Sequence, residues 1–298
     1  MLDDPRLKIV EGIDGDYVII GFPHHLGAKR DNVRIGQDHG PDCLRRFLPR
    51  IGPLKNAEYM KDISNFIISD YGNIHVDDDQ NLEKLLEKLN QKVQIIQNKN
   101  HTPIIIGGSK DCVFGVVSDD LHVISINHIP DIQIPYDGNK PSINSGLRAS
   151  KSKISITYFG FDNSKLNQDE QNYINEKCSG YSLQQIRQVQ KIYHQDLTSQ
   201  ITQAGIMFNQ ILKNLQGKRI HISVSLEAID SAFCPGVSRP CVQGLSVEEI
   251  FEIIYLAGKH SVSLDITDYN PTIEDYRTGF LLGNLIYYYI LSKGNDIN

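Results

Sequence analysis

The chain has 298 residues, of which 40% are hydrophobic and 22% charged, with a formal net charge of −6. This is a globular composition and excludes a disordered chain, a collagen-like repeat or a coiled-coil rod. An acidic balance with no basic stripe argues against a nucleic-acid partner. The longest apolar stretch, 280–291, is interrupted by Gly283 and Asn284 and falls short of the ~18 residues of a membrane span. The five cysteines (Cys43, Cys112, Cys178, Cys234, Cys241) are odd in number and scattered, which fits reduced thiols rather than a disulfide framework. The first residues carry neither a basic region nor an apolar signal core. The expectation is a cytoplasmic protein.

Taken in chain order, β-branched runs at 17–21, 102–107, 122–126, 154–158, 219–224 and 261–266 read as strands. Several lack strict alternation, as expected when both faces of a strand are covered. Between them lie helical patterns. Leu82, Leu85, Leu86, Leu89, Val93 and Ile96 recur at three- and four-residue spacing and predict an amphipathic helix over 80–98. Segments 183–189, 201–215 and 247–256 also read as helices, and Ser246 with Glu249 forms a capping-box pattern at the start of the last. Strand–helix alternation predicts a three-layer α/β/α fold with a central, mainly parallel sheet. No linker or repeat divides the chain, so one domain over 1–298 is expected. Ligands of such sheets bind beyond the C-terminal strand ends. The segments to read are therefore 22–40, 108–111, 127–145, 225–243 and 268–271.

Those segments resemble the ureohydrolase family of arginase, agmatinase and formimidoylglutamase. Gly21-Phe-Pro23 with Gly27, Arg30, Asn32, Arg34, Gly36, Gly40-Pro41 and Arg45 is similar to the opening of formimidoylglutamases. Asp70-Tyr-Gly-Asn73, 103–108, Ser231-Ala-Phe-Cys-Pro-Gly-Val-Ser-Arg-Pro240 with Gly244-Leu-Ser246, Asn270-Pro271 and Arg277-Thr278 follow in the family's order. The resemblance implies the arginase-like α/β/α fold. It also implies a reaction in which two Mn2+ ions make hydroxide available to attack an amidine or guanidine carbon.

The family draws its metal ligands, two histidines and four aspartates, from three motifs. At Gly-Gly-x-His this chain has Gly107-Gly108-Ser109-Lys110, and an ammonium offers no lone pair. At Asp-Ala-His-x-Asp it has Asn127-His128-Ile129-Pro130-Asp131, so Asn127 and Ile129 replace ligands and Asp131 is kept. At Asp-x-Asp it has Ser225-Leu226-Glu227, which leaves the longer carboxylate of Glu227. Two ions here would meet fewer carboxylates and an added cation. At ~4 Å and an effective dielectric near 20, one unit-charge repulsion is about 4 kcal/mol. Lys110 bridging Asp131 and Glu227 would balance the pocket. The main expectation is therefore a ureohydrolase-fold protein without a metal cofactor and without the family's hydrolysis. It would bind a small amino-acid-like ligand or act through a homo-oligomer, or a hetero-oligomer with an active relative.

The alternative is an active formimidoylglutamase-like hydrolase of linear amidines such as N-formimino-glutamate. It would use a rebuilt single-metal site from His128, Asp131 and Glu227, with Asp111 or Asp230. His128 reads equally as an ordinary histidine at a strand end. For substrate binding, the resemblance implies Asp268 for the amidinium group and Asn144, Ser145 and Arg148 for the amino-acid end, Arg148 by bidentate pairing with a carboxylate.

Overall fold

The computed structural model describes residues 6–75, 81–135, 140–150, 153–189 and 202–297. Nine strands form its main sheet: β1 (Ile9–Glu11), β2 (Tyr17–Phe22), β3 (Ile68–Asn73), β4 (Thr102–Gly107), β5 (Leu121–Ile126), β6 (Ser155–Phe161), β7 (Ser179–Ser182), β8 (Arg219–Ser225) and β9 (Ser261–Thr267). Their spatial order is β1-β3-β2-β4-β9-β8-β5-β6-β7, and every pairing is parallel. All C-terminal ends therefore meet on one side. Lys55–Asn56, Lys61–Asp62 and Asn295–Asp296 form a separate small antiparallel sheet.

Side chains alternate across the strands, and helices cover both faces. Ile104, Ile106, Ile124, Ile126, Ile220, Ile222, Val224, Leu264 and Ile266 pack with the helices Gln203–Asn214, Val247–His260 and Tyr276–Leu291. Val18, Ile20, Phe22 and Ile105 pack with the apolar stripe of Leu82–Asn98, which begins at an Asn81 cap on Lys84 N. Ser246 and Glu249 form the expected reciprocal capping box. The three-layer α/β/α architecture is thus as expected from the strand–helix alternation.

Several elements depart from the sequence pattern. Strands β1 and β7 were not expected; they are short edge strands, each paired on one side only, and lack an apolar run. The 280–291 stretch is part of a buried helix, Tyr276–Leu291, and being apolar nearly all round it shows no periodicity. Helix Val247–His260 runs past its expected end at 256. The expected helix start at Ile201 lies outside the described residues. No helix among the described residues is long and apolar enough to cross a membrane.

One face at the sheet centre is polar. On β8, His221, Ser223 and Ser225 alternate with the apolar set, and β9 places Ser263, Asp265 and Thr267 beside them in register. All six are buried. This stripe leads upward to the strand ends and the candidate site.

Candidate active site

The site begins where β4 ends. Gly108 packs so close to the first loop that a Cβ there would lie 1.9 Å from the carbonyl oxygen of His24. The following turn, Lys110–Cys112, starts beneath Asp268, whose carboxylate accepts the Lys110 backbone N–H at 3.1 Å. Asp268 holds a left-handed backbone conformation (φ 70°) and accepts hydrogen bonds from Ser225 at 2.7 Å and Thr267 at 3.0 Å. The ends of β4, β8 and β9 are thus tied together by one carboxylate.

Lys110 is fully buried. Its Nζ donates to Ser223 Oγ at 2.5 Å, and Ser223 donates to Asp265 Oδ1 at 3.0 Å. Asp265 Oδ2 meets His221 Nε2 at 2.6 Å, and His221 Nδ1 meets Ser263 Oγ at 2.8 Å. The ammonium therefore ends a buried polar chain running down the sheet. The expected Lys110 bridge between Asp131 and Glu227 is not what forms. Lys110 acts electrostatically on Asp131 and Asp268, while Glu227 is claimed by another residue.

That residue is Arg239. Its Nε donates to Glu227 Oε2 at 2.8 Å, its Nη2 stands 2.8 Å from the same oxygen, and its backbone N–H donates to Glu227 Oε1 at 3.0 Å. Its Nη1 donates to Asn144 Oδ1 at 2.6 Å, and Asn144 N–H donates to Asp31 at 3.0 Å. Sequence reasoning missed this pairing, since nothing in the order of residues links Arg239 to Glu227. It also missed the Ser223–Asp265–His221 chain, although a polar alternation within a central strand was a readable signal.

Burial governs the acids. It pushes Glu227 and Asp111 each up to about 7, against the opposing pull of Arg239 on the first and Ser109 on the second. Burial also raises Asp131 and Asp268, with Lys110 holding both down in part and Arg239 also acting on Asp268. Asp131 Oδ2 accepts from Leu147 N–H at 3.0 Å, and the buried Tyr158 hydroxyl acts on the same carboxyl.

The other expected residues scatter. Asn127 and Ser225 sit buried at their strand ends, and Ile129 is half-buried. Desolvation lowers the pKa of His128, and the charges acting on its ring are Asp162, Lys165 and Arg239. Asp230 caps a turn at Ala232 N–H. Asn144 reaches the site through Arg239. Ser145 is bonded to Ser142 at 2.9 Å within its own turn. The Arg148 guanidinium donates to Ile132 O at 2.8 Å and Asp169 at 2.7 Å and lies over the Tyr173 ring at 4.5 Å. The arginine at the site is Arg239.

A parallel α/β/α sheet with buried carboxylates gathered at its C-terminal edge defines the class. The chain belongs to the arginase family, whose model matches residues 15–292. Within it, the chain is 26% identical over 296 residues to a formimidoylglutamase of Paraburkholderia xenovorans, covering 91% of this chain and 86% of that protein. It superposes on a formiminoglutamase of Trypanosoma cruzi crystallised with Mn2+2 at a TM-score of 0.82 and 27% identity, covering 94% and 93% of the two chains. An agmatine ureohydrolase of Thermoplasma volcanium shares the fold at a TM-score of 0.78.

These relatives correct the expectation of a protein without a metal cofactor, because the family likeness points to manganese. The side chains set the terms on which an ion could be held. Among the described residues, no three or more His, Cys, Asp or Glu side chains are grouped to hold one. A two-ion cluster of the family type does not fit these side chains, since the buried Lys110 ammonium acts on Asp131 and Asp268 and Arg239 engages Glu227. A single ion would rest first on the Asp131 carboxylate and on Glu227 once released.

Proposed function

We propose that the chain is a formimidoylglutamase-like hydrolase of linear amidines, of which N-formimino-glutamate is the type. The observation that carries this reading is the cluster of Asp111, Asp131, Glu227 and Asp268, buried at the strand ends of a chain that aligns with formimidoylglutamases over 91% of its length. Asp268 and Glu227 suit an amidinium, which pairs with carboxylates through planar, charge-assisted hydrogen bonds. Asn144, at the rim, suits the amino-acid end. A Glu227 carboxyl poised at about 7 can accept or return a proton near neutral pH. Lys110, anchored on Ser223, opposes in part the rise that burial imposes on Asp131 and Asp268. Bound manganese supplies acidification of water near neutral pH.

The test is release of formamide or ammonia from N-formimino-L-glutamate. Turnover is expected to require added Mn2+ and to vanish in Asp131→Ala. Equal rates in that variant and the parent would overturn the reading. One observation favours a second reading, binding without turnover: the Lys110 ammonium is buried among the carboxylates. In that case N-formimino-glutamate raises the melting temperature while no formamide appears.

A further inference from the structure

Lys110, Asp111, Asp131, Glu227 and Asp268 are buried, whereas Arg239 reaches solvent. Its side chain is 20% exposed, against 2% for the Glu227 carboxylate behind it. Its polar side-chain contacts go to Glu227 and Asn144, both groups of the site. The neighbouring chain is independently held: Gly236 O accepts from Asn270 N–H at 2.7 Å, and the Ser238 hydroxyl accepts from Gln37 at 2.8 Å and from Asn270 at 2.9 Å. Rotation of the Arg239 side chain can therefore proceed without moving the loop. After such a rotation, Arg239 N–H still holds Glu227 Oε1, while Oε2 is freed toward the vacated space. That space is bordered by Glu227 and Asn144, with Asp268 in electrostatic reach and Lys110 as the cation beyond.

We propose that Arg239 is an internal stopper. Its guanidinium fills a place shaped for a small planar cation, and a ligand bearing an amidinium or guanidinium enters by expelling it. The ligand class rests on the reading of the site as an amidine site; the displacement itself is a property of Arg239. The planar fork that binds Glu227 is what an external amidinium would reproduce. A ligand must then offset the lost Arg239–Glu227 pair, which weakens its apparent affinity in the parent.

The test uses the whole chain and formamidinium chloride as probe, with sodium chloride at matched ionic strength as control. In the parent, the Arg239 Nε–Hε resonance is expected to be protected from water exchange and to lose that protection as formamidinium is added. An arginine with a purely structural role would keep its protection. By calorimetry, Arg239→Ala should bind formamidinium at least about tenfold more tightly than the parent, and the added change Glu227→Gln should abolish the gain. If Arg239→Ala is unfolded in buffer, millimolar guanidinium should restore its cooperative melting. The proposal fails if the parent resonance is unmoved by formamidinium, if Arg239→Ala binds no better, if the gain survives Glu227→Gln, or if guanidinium restores nothing. None of these readouts involves turnover, so a failed hydrolysis assay leaves the stopper standing, and the reverse also holds.

Discussion

Lys110 is a long cation where the family's motif calls for a neutral ligand, and its surroundings explain why it is tolerated. Ser223 accepts its hydrogen bond, and Asp131 and Asp268 supply opposite charge. Breaking such an arrangement from one side leaves buried carboxylates uncompensated and costs about 3–5 kcal/mol. Lys110→Met is therefore expected to lose roughly that much in urea unfolding at neutral pH, and a loss near zero would remove the counter-ion role. Asp111 gives a pH signature. Burial raises its pKa from 3.8 to about 7, so the folded state holds the proton more tightly than the unfolded chain does. The stability this adds is complete below the unfolded value and is lost as pH rises through about 7. Asp111→Asn should flatten the fall in stability between about pH 4 and 7; unchanged slopes in the two proteins would refute the assignment. Arg148→Ala should leave ligand affinity unaltered and cost at most about 1 kcal/mol of stability, since its partners are Asp169, Ile132 O and Tyr173.

At the level of elements, close approach at the strand ends holds the carboxylates in position. The β4 end must pass His24 with no room for a methyl group. Gly108→Ala forces backbone against backbone and is expected to destabilise the chain by about 2 kcal/mol or more. Wild-type stability in that variant would mean the first loop yields freely. The same logic applies to Gly258, where an added Cβ would lie 2.3 Å from Tyr289 O on the neighbouring helix. The central strands were legible as strands because their apolar faces are β-branched. The polar alternation on the second face of β8 and β9 was readable, but the hydrogen-bonded chain was not, since His221, Ser223 and Asp265 acquire a common role only through cross-strand register.

Across the whole molecule, ligand linkage is the most direct check of the functional reading. If the site takes manganese and an amidine, each binds the folded chain alone and raises the melting temperature by mass action. Mn2+ is expected to raise it in the parent and not in Asp131→Ala; an equal shift in both would place the ion elsewhere.

The sequence by itself determined the layered α/β fold, the strand ends that carry the site and the family, because apolar periodicity and loop motifs are local and survive divergence. Helix 82–98 was plain from its leucine stripe, whereas Tyr276–Leu291, apolar on nearly every side, was visible only as an unassigned run. Tertiary structure alone decided which charges pair. Asp131 and Glu227 were both found, yet Lys110 turned to Ser223, Arg239 took Glu227, and Arg148 pairs with Asp169. Charge pairing depends on distances between loops remote in sequence and on the cost of leaving a buried charge alone, and neither is written in the spacing of residues along one strand or helix.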